Sequence, residues 1–303
     1  MTHPVSLSEA VRLHSQHLRA RRRSAATLRW YAEQFAAYER WRLLMRLPDQ
    51  VPDADTIDAY LAAQHAAGLT PSTVNARFRS LRALYLFLER RRRIRYDDNP
   101  VRLVDAPKVP REARRYVTQE TYSLLINSIT GQTWMAWRDR LILNVLYYSG
   151  LRVGELCALC VDDVDAQGLE ITVRRGKGDK ARIVPAHPDL ARLFVAYLLS
   201  RPAHTDQLLL ASDGYAGTTG PLTREGVRQM LIRRCRAAGV EYYNPHSFRH
   251  GFAMWTLNAG VRMSKVSTLM GHSDQQITQR VYAHTLPQTA RNEYDAALRT
   301  LNG

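Results

Sequence analysis

Apolar residues along the first hundred positions return every three or four residues. Leu7, Val11, His14 and Leu18 mark one stripe and Leu28, Tyr31, Phe35 and Tyr38 a second; that spacing is the buried face of an amphipathic helix. A third helix is expected from Asp53, an N-cap residue type, to Gly68, a C-cap type. The fourth opens at Thr70-Pro71-Ser72 and carries Val74, Phe78, Leu81, Tyr85 and Leu88 on one face. Arg77, Arg79 and Arg82 lie off that stripe, and the helix runs into Arg90 to Arg93 plus Arg95. Asp97-Asp98-Asn99-Pro100 is expected to stop it, because proline disfavours helical geometry in the residue before it.

The pattern then lapses. Pro107, Lys108, Pro110, Arg111, Arg114 and Arg115 make a stiff, basic stretch, read as a linker over 105–115 that runs along nucleic acid. From Tyr116 the helical period resumes, with one exception. Leu169 to Val173 alternates with period two, Gly176-Lys177-Gly178-Asp179-Lys180 supplies turn chemistry, and Ala181 to Pro185 resumes as a strand. This is a β-hairpin with Lys177 and Lys180 at its tip. After Gly220 helices are expected at about 223–238, 245–259, 263–270 and 275–284, with a last one from about Pro287 to Leu301. The chain therefore reads as mainly α with a small β-hairpin or sheet: a helical domain over 1–104, the linker, and an α+β domain over 116–303.

Composition narrows the function. Hydrophobic residues at 45% and aromatics at 9% of 303 exclude a disordered chain. The net charge is +15, and all but four of the 43 basic residues are arginine. The excess divides as +7 in residues 1–105 and +8 in the rest, which suits two domains that both meet a polyanion. Arginines 77, 79, 82 and 90–93, with Arg21 to Arg23 earlier, are either a solvated face or phosphate contacts; their number favours phosphate. Three cysteines are no disulfide framework. Glu9 and Arg12 near the amino terminus argue against a signal peptide, and no apolar run approaches the roughly 18 residues of a membrane span. A cytoplasmic protein is expected.

Few residues stand out chemically. Arg152, in Ser149-Gly150-Leu151-Arg152-Val153-Gly154-Glu155-Leu156, follows a helix-breaking glycine and opens the next helix, a place suited to a phosphate. Asn244-Pro245 precedes His246 and Arg249, one turn apart, giving a neutral-capable base beside a fixed cation. His272 follows Gly271, and Tyr282 sits in Arg280-Val281-Tyr282-Ala283-His284. Cys157 and Cys160 have metal-ligand spacing but no second pair nearby. Asp162, Asp163 and Asp165 read as a solvated connection, and no P-loop argues for ATP.

The joint order is more telling than any single residue. G-L-R-V-G-E-L (150–156), the lysine-tipped hairpin, H-S-F-R-H (246–250), L-M-G-H-S (269–273) and R-V-Y-A-H (280–284) closely resemble the motifs of the tyrosine recombinase family, which includes phage integrases and Xer-type recombinases. T-P-S-T-V-N-A-R-F-R (70–79) and D-N-P (98–100) are similar to that family's helical, SAM-like core-binding domain. The resemblance implies an active site of Arg152, Lys177, His246, Arg249, His272 and Tyr282, working without metal, ATP or any other cofactor. It implies a 3′-phosphotyrosyl intermediate on double-stranded DNA with inverted-repeat core sites. A homotetramer would exchange strands through a Holliday junction, as in mobile elements, with the carboxy-terminal helix docked on a neighbour. Arg77, Arg79, Arg224 and Arg228 become groove candidates. The step from His272 to Tyr282 is ten residues where many relatives have nine, and the length leaves no room for a further arm-binding domain. Two rival readings are a non-catalytic DNA-binding regulator, with 263–270 and 275–284 as a helix-turn-helix, and a type IB topoisomerase.

Overall fold

The computed structural model describes residues 6–110, 115–174, 181–203, 205–214 and 217–271, and the chain divides into two units between Glu112 and Ala113. The first is built of α1 (Leu7–Ala20), α2 (Ala25–Leu44), α3 (Ala54–Ala66) and α4 (Pro71–Arg90). Ser6, Ser24, Asp53 and Thr70 stand immediately before them, and each side chain accepts from an amide of the first turn. Such a cap is worth about 1 kcal/mol. The apolar stripes meet in one core that includes Leu7, Phe35, Tyr38, Ile57, Phe78 and Leu88.

Proline does not stop α4. The helix closes at Arg90 because Arg92 adopts a φ of +55°. The amides of Arg92 and Arg93 then reach back to the carbonyls of Glu89 and Leu88, at 2.9 Å each. Asn99-Pro100 instead opens a single 3-10 turn, Pro100–Arg102, with Asn99 as its cap. Val101 and Val104 join the core, and Asn75 Nδ2 donates to the Pro107 carbonyl at 2.8 Å. The stretch read as linker is thus fastened to the first unit as far as Pro107. At its other end Arg115 pairs with Glu241 and lies over the Tyr243 ring.

His14 on α1 is 3% exposed, ringed by Tyr31, Phe35 and Phe87. Burial first, then His17 and Arg90, lowers its pKa to about 4. The unfolded chain therefore binds the proton more readily, and the neutral ring's contribution is complete above about 6.5 and lost as pH falls towards 4. Urea denaturation of the first unit is expected to show a loss of about 3 kcal/mol between those pH values. His14→Phe should flatten that profile, and an equally steep profile in the variant would remove His14 as the cause.

The second unit runs α5 (Gln119–Asn127), α6 (Trp134–Ser149), α7 (Val153–Leu156), β1 (Val164–Asp165), β2 (Glu170–Val173), β3 (Arg182–Pro185), α8 (Asp189–Ser200), β4 (Leu210–Ser212), β5 (Thr218–Pro221), α9 (Arg224–Ala237), α10 (Pro245–Asn258) and α11 (Met263–Met270). Helix α6 is buried on nearly every side and lies against α8 and α10. The expected hairpin is present as β2 and β3, antiparallel, with Ile171 opposite Val184. Three features depart from the sequence reading. Leu169 has a φ of +53°, so the strand begins at Glu170. β1 adds a third strand, and β4 and β5 form a second sheet. Asp163 is no solvated connection: it is 3% exposed, accepts from the Cys160 amide and pairs with Arg174. The hairpin tip with Lys177 and Lys180, the helix expected at 275–284 and the last one from Pro287 lie outside the described residues. Among the described residues no helix is long and apolar enough to cross a membrane.

Candidate active site

Helix α6 ends at Gly150, whose φ is +60°; a Cβ there would also fall 2.4 Å from the Phe252 ring. Only glycine meets both demands. The chain turns, buries Leu151, and brings Arg152 to the N-cap of α7. That helix is a single turn, so the positive charge here is supplied by the guanidinium rather than by a helix terminus. Glu155 reaches back across the turn: Oε2 accepts from the Arg152 amide and Oε1 from its Nη1, both at 2.9 Å.

On α10 the expected start is in place. Asn244 Oδ1 accepts from the amides of His246 and Ser247 at 2.9 and 3.1 Å, with Pro245 in the first turn. His246 is exposed at that end. Arg249, one turn on, is 6% exposed. Its Nη1 donates to the Gly150 carbonyl and its Nη2 to that of Met270, each at 2.5 Å.

Helix α11 ends at Gly271, with a φ of +64°. Its last carbonyls are the orphan acceptors of any helix end, at the negative pole of the helix dipole. Arginines fill them. Arg152 donates to Met270 O at 3.4 Å and to Gly271 O at 3.0 Å. Arg182, from β3, donates Nε to Leu269 O at 2.8 Å and sets its fork on Glu155, with Nη1 to Oε1 at 3.1 Å and Nη2 to Oε2 at 2.8 Å. Burial alone would raise the Glu155 pKa, but Arg182 and Arg152 overcome it and hold the carboxyl at about 2. Two guanidiniums thus share one carboxylate, and Arg249 on the Met270 carbonyl adds a third positive charge, an arrangement suited to a bidentate phosphate.

Of the residues expected in the site, the structure brings Arg152 and Arg249 together on one carbonyl and sets His246 one turn from Arg249. Lys177, His272 and Tyr282 lie outside the described residues; His272 follows Gly271 directly. Two participants were not singled out from the sequence: Glu155 and Arg182. Alternation on β3 carries the missed signal. Val184 is buried and Ile183 is 57% exposed, so Arg182 shares the inner face with Val184, and a charge there needs a carboxylate.

The other candidates divide. Arg77 is half-buried, and its Nη1 donates to Gln34 Oε1 at 2.9 Å, tying α4 to α2. Arg79 is exposed. Arg228 is exposed and pairs with Glu225 at 2.9 Å. Arg224 lies against Gly154, where a Cβ would come within 2.5 Å of its Nη2. Burial pushes the Cys157 thiol up to about 11, against a smaller opposing effect of Arg224. Among the described residues no group of three His, Cys, Asp or Glu side chains could hold a metal ion.

Comparison with known proteins gives concordant matches. Residues 115–289 match the phage integrase family. The chain is 31% identical over 283 residues to tyrosine recombinase XerC of Bacillus pumilus, covering 89% of this chain and 90% of that one. It is 36% identical over 238 residues to tyrosine recombinase XerA of Thermococcus kodakarensis, covering 78% and 79%. Among solved structures it resembles the Tn1549 transposon integrase in complex with a circular intermediate DNA, with a TM-score of 0.74 over 95% of this chain and 99% of that one. At 22% identity that last likeness is one of fold.

Proposed function

The chain belongs to the phage integrase family and is a tyrosine site-specific recombinase; from that premise we propose that it cuts and rejoins duplex DNA through a 3′-phosphotyrosyl intermediate. The observation that carries the reading is the convergence of Arg152 and Arg249 on the Met270 carbonyl, at the helix end that leads into His272.

In the proposed reaction Tyr282 Oη attacks the scissile phosphorus while His246 takes its proton. A new P–O bond to tyrosine forms, the P–O5′ bond breaks, and Lys177 gives the departing 5′-oxygen its proton. Arg152 and Arg249 hold the non-bridging oxygens as negative charge grows on them, and His272 adds a hydrogen bond. The tyrosyl ester conserves the free energy of the original linkage, so a second 5′-hydroxyl reseals the strand without ATP. Arginine charge does the work a metal ion would otherwise do. DNA with inverted-repeat core sites, a homotetramer holding two duplexes and exchange through a Holliday junction complete the proposal.

The test offers the protein nicked duplex fragments, from which the released strand piece diffuses away. An SDS-stable adduct with DNA joined through its 3′ end is expected, and sequencing the trapped DNA names the site. Retention without any covalent adduct would overturn the reading in favour of a non-catalytic DNA-binding regulator. Strand exchange between two such sites, assayed beside supercoil relaxation, separates a recombinase from a relaxing enzyme. Binding should also weaken steeply with salt, by roughly three orders of magnitude or more from 50 to 200 mM.

A further inference from the structure

Two arginine runs some seventy residues apart in sequence meet at one end of the first unit. Arg19, Arg21, Arg22 and Arg23 lie at the carboxyl end of α1, and Arg90 to Arg93 and Arg95 at that of α4. The two ends are joined through His17. Its ring lies 5.0 Å from that of Phe87, its Nδ1 is 3.5 Å from Arg91 Nη2, and Arg91 in turn lies over Phe87. After burial, the charges lowering the His17 pKa are Arg21, from one run, and Arg91 and Arg90, from the other. All nine arginines are exposed, and among the described residues none is in an ion pair. Glu89, the nearest carboxylate in sequence, accepts instead from Asn99 and Arg102.

The backbone adds an independent observation. Arg22 and Arg92 have φ values of +49° and +55°, the left-handed region that glycine enters freely and other residues rarely. Each sits just past a helix end, where glycine is the usual occupant; α3 closes the same way on Gly68, at +76°. Arginine at both positions gives up stability for an exposed, like-charged crowd, which pays only if a polyanion neutralises it.

We propose that this end of the first unit is a phosphate-binding surface for the backbone of duplex DNA, with Arg22 and Arg92 among its contacts. It lies apart from the groove candidates on the amino-terminal half of α4. Thirteen residues separate Arg79 from Arg92, about 20 Å of helix, so the surface lengthens the DNA tract this unit can hold. The proposal rests on the recombinase reading for the identity of the polyanion.

The molecule carries its own control. Arg46, past the end of α2, has the same strain, with a φ of +55°, but belongs to the opposite end. Asp49, three residues on, bonds Ser6 and Ser8 at the start of α1, about 20 Å along that helix from Arg22. The experiment replaces each arginine by glycine in the full chain and measures Tm and duplex binding across salt. All three variants are expected to be more stable, by about 2 °C each. Arg22→Gly and Arg92→Gly should each weaken binding about three- to tenfold and lower the salt slope by about one, while Arg46→Gly leaves both unchanged. Because the variants are stabilised, unfolding cannot account for the loss. Wild-type affinity and slope in the first two, or an equal loss in Arg46→Gly, would overturn the surface and leave the recombinase reading standing. A wild-type chain that retains no duplex would sink both.

Discussion

Tyr282→Phe is expected to bind duplex DNA as the wild type does and to form no SDS-stable adduct on a nicked substrate, a drop of about a thousandfold or more. A phosphotyrosyl ester needs a phenol oxygen, and phenylalanine differs only by lacking it. The phenols buried in the two cores are poor alternatives. Tyr38, Tyr60 and Tyr85 in the first unit, and Tyr122, Tyr147 and Tyr197 in the second, have pKa values raised by burial, to about 12 for Tyr60 and Tyr147. They stay protonated and out of reach of a duplex. A Tyr282→Phe protein that still accumulates adduct at the normal yield would move the nucleophile elsewhere, with Tyr294 the next candidate.

The second large effect is expected at a residue that touches no DNA in this reading. Arg182→Met should slow cleavage about a hundredfold at saturating DNA, with the Kd for duplex changed less than about threefold. Glu155 lies 6% exposed between two guanidiniums. Without Arg182, the full carboxylate charge falls on Arg152 and draws it from the scissile phosphate, and a buried pair broken on one side costs about 3 kcal/mol. Removing that charge should give back part of the loss, so Arg182→Met with Glu155→Gln is expected to cleave about tenfold faster than Arg182→Met alone. The double mutant separates charge balance from simple scaffolding. A double variant no faster than the single one would mean that Arg182 only fastens β3 to α11.

The parts of this architecture that were legible in the sequence are those set by neighbours in the chain. Asp53, Thr70 and Asn244 cap helices because their side chains reach amides two or three residues on. The stripes through Leu7 and Phe78 close one core because helical spacing alone puts them on single faces. What stayed hidden depends on partners far along the chain. Helix α4 ends at Arg90, well short of Pro100, and nothing local announces that Arg92 will take a left-handed turn. β4 and β5, three and four residues long with glycine and proline in the second, carry too little alternation to be seen. In the site, Arg152 and Arg249 were found by the order of motifs, whereas Glu155 and Arg182 were passed over. Their pairing is an event of tertiary structure, between a helix turn and a strand.

The acceptors at the end of α11 are main-chain carbonyls, and this divides mutational tolerance unevenly around the site. No substitution at Leu269 or Met270 can delete the oxygen that Arg182, Arg152 or Arg249 binds, so drift at these two positions is limited by packing alone. The donors have no such shelter, since each is one side chain and one codon away from loss. Gly271 falls on the donors' side of the divide, because its φ of +64° and the Arg182 guanidinium packed where its Cβ would stand leave no room for change. Selection on this corner of the protein therefore weighs on three arginines and a glycine, and passes lightly over the helix whose end they hold.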